Sequence, residues 1–387
     1  MKIYLLKNQR FYFLSGLMIS IFISLNAQVI HKDDNVIYEY LIHSENLREE
    51  REILISLPDD YKETDDQYPV LYVLDASKNY RVTLETVRYL DSYSFIPKLI
   101  VIGIGNTDRE RDMTHSMSAM FPDAVTSGGG KTFQLFLKNE LIPYIDKQYR
   151  TYPYRVIIGH SLAGLFVFNT FLNDPSLFHG TIAVSPSLWW NNEEDIARVD
   201  GFIKKCTSLN NYLFISFGDG EGGFVQPALQ KLRSSFEAAA IDNFQFRFMH
   251  FPGENHITTY VSDVNYALND LFSGDWIMPP VEIIKGLQAI QAYFANLEKK
   301  LGYKIRIPQS YLSGIGDYFT GKRDFDEAIR INEYNITLHP KSAILHLKLG
   351  DTYRISGNKE KAVSYYRKAL MLEPGLIKAQ TELDKIL

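Results

Sequence analysis

One stretch near the middle of the chain constrains the fold more than any other. It begins with the apolar run Val156-Ile157-Ile158, passes through the small-residue turn Gly159-His160-Ser161-Leu162-Ala163-Gly164, and continues as an apolar helical pattern. Small residues let a strand and a helix pass close together at a strained turn. Such a turn exposes the Ser161 hydroxyl and directs the backbone N–H of Leu162, at the helix N-terminus, toward a developing negative charge. The stretch therefore predicts a buried strand, a serine nucleophile and a helix.

This turn differs from the usual Gly-x-Ser-x-Gly pattern at its fifth position, where Ala163 precedes Gly164. Alanine is the smallest substitute, so the close approach of strand and helix stays possible. A pentapeptide of this kind also arises by chance. The flanking strand and helix patterns distinguish a nucleophile turn from a chance match.

Apolar and alternating runs predict strands on both sides of this turn, at residues 36–43, 51–56, 69–74, 99–104, 155–158, 180–184, 212–217 and 244–251. Helical patterns lie between them at 82–90, 131–144, 162–172 and 225–240. Unbroken apolar strands are typical of a sheet that is buried on both faces. Two antiparallel opening strands, followed by a largely parallel sheet with crossover helices, predict an α/β-hydrolase fold.

A serine nucleophile needs a base, and the base needs an orienting acid. In this fold the order along the chain is serine, acid, histidine, with the last two on loops after later strands. His256 follows the last predicted strand and is therefore the expected base. The preceding strand ends in a glycine-rich loop that contains Asp219 and Glu221. Both carboxylates are candidates for the acid. Whichever of the two is not the acid is expected to be a solvated residue of the turn.

The amino terminus has the layout of a secretory signal peptide, with three basic residues before an uncharged apolar run at 11–25. Ala27 is the expected cleavage residue, so residues 1–27 are predicted to be the signal; an uncleaved anchor is the alternative. Cys206, the single cysteine, cannot form an internal disulfide. We expect an exported bacterial protein, periplasmic or secreted. The net charge of −5 gives no electrostatic case for nucleic acid, and the chain has no metal-ligand spacing.

The last third of the chain predicts helices only. Residues 281–308 are expected to link the two parts, with one long helix over 281–301. Gly316-Asp317 recurs as Gly350-Asp351, an offset of 350 − 316 = 34 residues, and Ala328 recurs as Ala362 at the same offset. A 34-residue period of paired helices is typical of tetratricopeptide repeats. Residues 309–387 are therefore predicted to form a small all-α repeat domain with a capping helix at its end.

Residues 35–275 resemble the putative esterase family, which contains esterase D, feruloyl esterases, mycolyltransferases and siderophore esterases. The resemblance is carried by Pro69–Asp75, Val101–Asn106, Glu140–Asp146, Gly159–Leu165, Ser185–Trp190 and Gly253–His256. Within the family, Ser185-Pro186-Ser187-Leu188-Trp189-Trp190 is most similar to the siderophore-esterase branch. The resemblance implies a domain over residues 28–280 that hydrolyses carboxylic esters without a cofactor.

The resemblance also implies roles for single residues. The family's acid position corresponds to Glu221 rather than Asp219, and its second oxyanion donor corresponds to the backbone N–H of Ser77. Trp189 and Trp190 correspond to substrate-binding positions.

Two further candidates come from their place after a strand of the sheet. Arg109 and Arg111 follow the strand at 99–104 and are expected on the same face as the site. They either clamp an anionic or catecholate substrate or pair with Asp112 and Glu110.

We therefore expect an exported serine esterase that forms an acyl-enzyme on Ser161. Its small-molecule substrate is expected to be an enterobactin-like siderophore, a feruloyl ester or an acyl sugar. Two alternatives stay open at this point. One is a scaffold protein whose repeats bind a protein or peptide partner, and the other is an acyltransferase, in which an alcohol replaces water.

Overall fold

The computed structural model describes residues 26–32, 35–62, 64–93, 95–118, 125–221, 225–276, 278–301 and 305–387. Within these ranges, nine strands form one sheet. They are β1 Asn26–Lys32, β2 Asn35–Ser44, β3 Glu49–Ser56, β4 Tyr68–Val73, β5 Ile100–Ile104, β6 Thr151–His160, β7 Gly180–Val184, β8 Tyr212–Gly218 and β9 Gln245–Phe251. Their order across the sheet is β1-β2-β3-β5-β4-β6-β7-β8-β9.

The sheet has an antiparallel edge and a parallel body. Strands β1, β2 and β3 pair antiparallel with one another, and β3 pairs antiparallel with β5. All pairs from β5 through β4, β6, β7 and β8 to β9 are parallel. This topology confirms the predicted α/β-hydrolase fold. Strand β1 was not predicted. Its first two residues, Asn26 and Ala27, belong to the predicted signal peptide, and the rest of that prediction, residues 1–25, lies outside the described residues.

Helices cover both faces of the sheet. They are α1 Ala76–Ser92, α2 Arg109–Met113, α3 Gly130–Phe136, α4 Ile142–Gln148, α5 Leu162–Asn173, α6 Trp190–Glu193, α7 Ile196–Ile203, α8 Val225–Glu237 and α9 Thr259–Trp276. A π-helical turn, Leu137–Leu141, joins α3 to α4.

Strand β4 shows how the two layers of core arise. Val70 and Tyr72 point into the core formed with α3, α5, α7 and α8, whereas Leu71 and Val73 point into the core formed with α1 and α9. All four side chains are buried. An unbroken apolar strand is therefore what this position requires, because successive side chains alternate between two buried faces.

The predicted long helix over residues 281–301 is wrong. The structure has two helices there, α10 Pro280–Ile283 and α11 Leu287–Leu301. Gly286 separates them and has a φ of 87°, a left-handed conformation that ends a helix and that glycine adopts without steric cost. The carboxylate of Glu327 then accepts a hydrogen bond from the N–H of Leu287, at the start of α11.

The remaining helices are α12 Gln309–Gly321, α13 Phe325–Leu338, α14 Ala343–Ile355, α15 Lys359–Leu372 and α16 Ile377–Asp384. Helices α12 and α14 begin 343 − 309 = 34 residues apart. The N-cap side chains of α13 and α15, Asp324 and Asn358, also lie 34 residues apart and accept hydrogen bonds from Glu327 N and Lys361 N, respectively. The repeat period read from the sequence is thus the period of the helix pairs. Helix α11 shares a core with the first pair through Ile290.

Polar contacts join the repeats to the hydrolase part. The Tyr152 hydroxyl donates to the carbonyl of Arg306 at 2.9 Å. Arg306 in turn pairs with Asp65 at 3.0 Å, and His339 lies 3.0 Å from Asp66. The two parts therefore meet through a cluster of charges. No helix within the described ranges is both long and apolar enough to cross a membrane.

Candidate active site

The turn after β6 holds Ser161 in a strained conformation, with φ 63° and ψ −118°. A Cβ on Gly159 would lie 2.2 Å from the carbonyl oxygen of Ala163, and one on Gly164 would lie 3.0 Å from Pro186 Cα. Gly159 therefore requires glycine, because backbone atoms block any side chain, and Gly164 leaves very little room for one. Such strain at a non-glycine residue is typical of functional positions, since the surrounding packing must maintain it.

The loops after β8 and β9 bring an acid and a histidine together. Glu221 Oε2 lies 2.9 Å from His256 Nδ1. The glycines of the acid loop allow this approach, because a Cβ on Gly218 would lie 2.5 Å from the carbonyl oxygen of Glu254, and one on Gly220 would lie 2.9 Å from Asn255 Cβ. The two loops consequently pack backbone against backbone.

The Glu221 side chain is 1% exposed, whereas the His256 side chain is 37% exposed. Burial raises the pKa of Glu221, but the hydrogen bond and the charge of His256 outweigh burial, so that the pKa lies below its ordinary value. Glu221 is therefore ionised at neutral pH and can orient His256 and stabilise its protonated form.

The hydroxyl of Ser161 lies 3.4 Å from that of Ser187. Within the described ranges, Ser161 Oγ makes this contact and none with His256. Catalytic hydrogen bonds often tighten only when substrate binds, so the lack of this contact does not exclude His256 as a candidate base.

The alternative acid, Asp219, faces away from this pair. Its carboxylate lies 2.6 Å from His250 Nε2 and accepts a hydrogen bond of 2.7 Å from the N–H of Gly253. The Asp219 side chain is 53% exposed. Asp219 thus lies on the exposed side of the loop, where it binds His250. Glu221 is the carboxylate that contacts His256.

Two helix N-termini supply the candidate oxyanion donors. Leu162 is the first residue of α5, and Ser77 is the second residue of α1. Backbone N–H groups in the first turn of a helix have no partner within the helix. Strands β4 and β6 pair in parallel, so α1 and α5 begin at the same edge of the sheet.

Arg109 connects these two turns. Its guanidinium binds the carboxylate of Asp75 through Nε at 2.9 Å and Nη2 at 2.8 Å, and Nη2 also donates to the carbonyl of His160 at 3.2 Å. Asp75 precedes α1 with a φ of 54°. Arg109 therefore ties the turn before Ser77 to the residue before Ser161, and its sequence-predicted partners Asp112 and Glu110 do not bind it.

Arg111 binds two carboxylates away from these turns. Its guanidinium donates to Glu49 through Nη1 and Nη2 and to Asp112 through Nε. The buried Arg51 binds the same Asp112 at 2.8 Å. This network joins β3 to α2. Of the two roles expected for Arg111, substrate binding or pairing with Asp112 and Glu110, the structure shows the pairing with Asp112.

The two tryptophans differ in exposure. The side chain of Trp190 is buried, and its Nε1–H donates to Ser116 Oγ at 3.2 Å. Trp189 is only partly buried. It follows Ser187 by two residues, and Ser187 lies against Ser161. Of the two, Trp189 is therefore the ring available at the surface.

Three residues of this arrangement have no role in the sequence prediction, namely His160, Ser187 and Asp75. Ser187 follows β7, and β7 pairs in parallel with β6, so its loop must lie beside the Ser161 turn. That neighbourhood could have indicated Ser187. Asp75 and His160 each directly precede a predicted oxyanion turn, but nothing in the sequence shows which groups they contact.

Spacing along the sequence indicates no metal site, but within the described residues the fold brings together one group that could ligate a metal ion, Asp65, Asp66 and His339, whose ligand atoms lie within 4.8 Å of one another. Arg306 pairs with one of these carboxylates. Burial lowers the pKa of His339, but Asp66 and the carbonyl of Ile307 outweigh burial and raise it above its ordinary value. The Arg306 guanidinium thus balances one of these carboxylates, and the cluster favours the charged form of His339, at the boundary of the two parts.

Comparisons with known proteins identify the family of the chain. A sequence profile for the family described as putative esterase matches residues 44–266, and a tetratricopeptide-repeat profile matches residues 343–376. The chain is 31% identical over 226 residues to the ferri-bacillibactin esterase BesA of Bacillus subtilis, which covers 52% of this chain and 78% of that protein. It is 27% identical over 187 residues to the siderophore enterobactin esterase of Emericella nidulans, covering 42% of this chain and 61% of that one.

The crystal structure of an IroE-like serine hydrolase from Shewanella oneidensis superposes with a TM-score of 0.69 at 22% identity, covering 81% of this chain and 99% of that one. This likeness shows that the fold is shared. The profile match spans more than half of the chain and contains Ser161, Glu221 and His256. The chain belongs to the putative esterase family and carries a tetratricopeptide repeat at its carboxyl end.

Proposed function

We propose that this esterase is a serine hydrolase in which Ser161 forms an acyl-enzyme. The observation that carries the proposal is the 2.9 Å contact between Glu221 and His256 beside the strained Ser161 turn. In the mechanism, His256 accepts the proton of the Ser161 hydroxyl as that oxygen attacks the ester carbonyl. The N–H groups of Leu162 and Ser77 stabilise the oxyanion, and His256 then protonates the departing alcohol. Water, activated by His256, releases the acid and restores Ser161.

The substrate that we propose is a siderophore-type ester with aromatic, anionic groups. The relatives named as siderophore esterases support this choice, as does the position of Arg109. Within the described ranges Arg109 Nη1 has no hydrogen-bond partner, and its side chain is 33% exposed. A catecholate oxygen is a suitable acceptor for this donor, and the partly exposed ring of Trp189 could stack on a catechol. Arg111 is fully occupied by Glu49 and Asp112 and is assigned no contact with substrate.

Hydrolysis of three ester classes tests the proposal. Purified protein is compared on a catecholate trilactone, a feruloyl sugar and a short nitrophenyl ester, with products identified by mass spectrometry. We expect the trilactone to give a kcat/KM at least about tenfold above that of the feruloyl sugar, and Ser161→Ala to abolish all three activities. Equal hydrolysis by Ser161→Ala contradicts the serine mechanism, and a preference for the feruloyl sugar contradicts the substrate class.

The same assay distinguishes hydrolysis from acyl transfer. A short alcohol is added at increasing concentration, and the products are separated into free acid and new ester. We expect free acid to dominate, because the partly exposed His256 is accessible to water. New ester as the main product at low alcohol concentration identifies an acyltransferase instead.

The proposal includes export and a partner-binding role for the repeats. Export is supported by the basic and apolar pattern of residues 1–25, and the mass of the protein recovered from bacterial periplasm tests it. Cleavage after Ala27 predicts a chain that begins at Gln28.

The repeats are proposed to bind a protein or peptide, because stacked helix pairs offer a continuous surface. A pull-down that compares the full chain with a chain lacking residues 309–387 tests that role.

A further inference from the structure

His160 contacts the loop of the proposed base directly and reaches the turn before Ser77 through Arg109. Its ring nitrogen Nε2 lies 2.5 Å from the backbone carbonyl oxygen of His256. Its own carbonyl accepts the hydrogen bond from Arg109, which also holds Asp75. His160 is directly followed by Ser161. The base loop, the oxyanion turn and the nucleophile therefore meet at one residue.

The contact with His256 sets the tautomer of His160. A carbonyl oxygen only accepts hydrogen bonds, so Nε2 must carry the proton and donate it. Burial, followed by the nearby charge of His256, lowers the pKa of His160 to about 4. The ring is therefore neutral at neutral pH and remains a single donor.

The rings of the two histidines lie against each other. Their centroids are 4.7 Å apart with planes tilted by 40°. Tyr260 also contacts His160, at 5.9 Å between ring centroids in an edge-on arrangement, and its hydroxyl is 2.9 Å from that of Thr83. His160 thus packs against both the proposed base and a buried tyrosine.

His256 is consequently held at two places. Glu221 binds its ring at Nδ1, and His160 binds its backbone and packs against its ring. The turn that carries His256 is braced locally by Asn255, whose side-chain oxygen accepts hydrogen bonds from the N–H groups of Ile257 and Thr258. The bond from His160 ties the backbone of His256 itself to the nucleophile turn. That tie matters because a displacement of about 1 Å can cost a hundredfold in rate.

We propose that His160 is a positioning residue that fixes the catalytic loop of His256 to the nucleophile turn. This role rests on the proposed function, because it assigns no chemistry of its own to His160. It predicts that full activity requires a hydrogen-bond donor at the position of Nε2 and does not require a charge on His160.

Two isosteric variants separate the donor from the rest of the side chain. The amide nitrogen of His160→Gln can occupy the position of Nε2, whereas that of His160→Asn can occupy only the position of Nδ1. We expect His160→Gln to retain kcat within about threefold and His160→Asn to lose about 10- to 100-fold, with KM within threefold for both. Equal kcat for both variants, whether high or low, overturns the proposal. His250→Asn, an exposed position on the edge strand β9, is the matched control and should retain full activity.

A double-mutant cycle supplies a readout that a merely structural role would not change. If His160 and Glu221 act by orienting the same ring, His160→Asn should cost much less in the Glu221→Gln background than in the wild type. Multiplicative losses contradict the proposal. Melting temperatures verify that each variant is folded, and labelling of wild-type Ser161 by a fluorophosphonate verifies the proposed function separately. A labelled, active wild type whose His160→Asn variant is equally active overturns this inference alone.

Discussion

Replacing Glu221 by glutamine tests the acid of the site, and Asp219→Asn is its matched control. When His256 accepts the proton of Ser161, an imidazolium forms 2.9 Å from the buried Glu221 carboxylate. Opposite charges about 4 Å apart, at an effective dielectric constant of about 20, attract by about 4 kcal/mol. The His256 side chain is 37% exposed, so solvent screens part of this energy, and we expect about 3 kcal/mol, or a 100- to 1,000-fold loss in kcat. Asp219→Asn removes a solvated charge that contacts His250 and should change kcat by less than about threefold.

The assay is steady-state hydrolysis of a short nitrophenyl ester between pH 5 and 9, with melting temperatures to verify folding. Because the pKa of Glu221 lies below its ordinary value, the carboxylate stays ionised over this range. The loss in Glu221→Gln should therefore be similar at every pH above the acid limb of the profile. A larger loss in Asp219→Asn refutes the assignment of the acid, and mild losses in both leave a dyad of Ser161 and His256.

Three further predictions follow from the packing. Gly159→Ala should destabilise the protein by at least about 3 kcal/mol, because its Cβ would lie 2.2 Å from a carbonyl oxygen. Gly201→Ala, in open space in α7, should instead stabilise the protein by about 0.5–1 kcal/mol. Equal free energies of unfolding for the two variants in denaturant titrations would contradict the packing argument. The raised pKa of His339 means that the charged ring stabilises the folded protein below pH 6.5 and loses that effect as pH rises through the folded pKa. His339→Gln should therefore lower the melting temperature more at pH 6 than at pH 9. A decrease in melting temperature that is the same at both pH values would refute the role of the charged ring. A chain ending at Pro280 should hydrolyse a small ester within about threefold of the full-length rate, and a hundredfold loss, about 2.7 kcal/mol of transition-state stabilisation, would show that the repeats help to build the site.

The sequence predicted those parts of the molecule that depend on local patterns. The turn at Ser161 was predictable because a small-residue motif lies between a strand pattern and a helix pattern, and the structure shows that Gly159 and Gly164 face backbone atoms. The helix pairs were predictable because residues such as Gly316 and Gly350 recur at a fixed spacing. Such signals lie within a few residues, or repeat along the chain.

Contacts between distant segments had no such signal. His339 pairs with Asp65 across 274 positions, so the charge cluster between the two parts could not be read from spacing. The partners of Arg109 were missed for the same reason, since Asp75 lies on another loop. The break at Gly286 did have a signal in the sequence, namely a glycine within a helical pattern. The structure shows that this glycine adopts a left-handed conformation, which ends the helix before it.

The central claim is that Ser161 is the nucleophile, and covalent labelling tests it most directly. The purified protein is treated with a fluorophosphonate, digested, and mapped by mass spectrometry. We expect one adduct, on the peptide that contains Ser161, with labelling lost in Ser161→Ala and strongly slowed in His256→Gln, because the hydroxyl needs its base. Labelling of Ser161→Ala at the wild-type level would contradict the account.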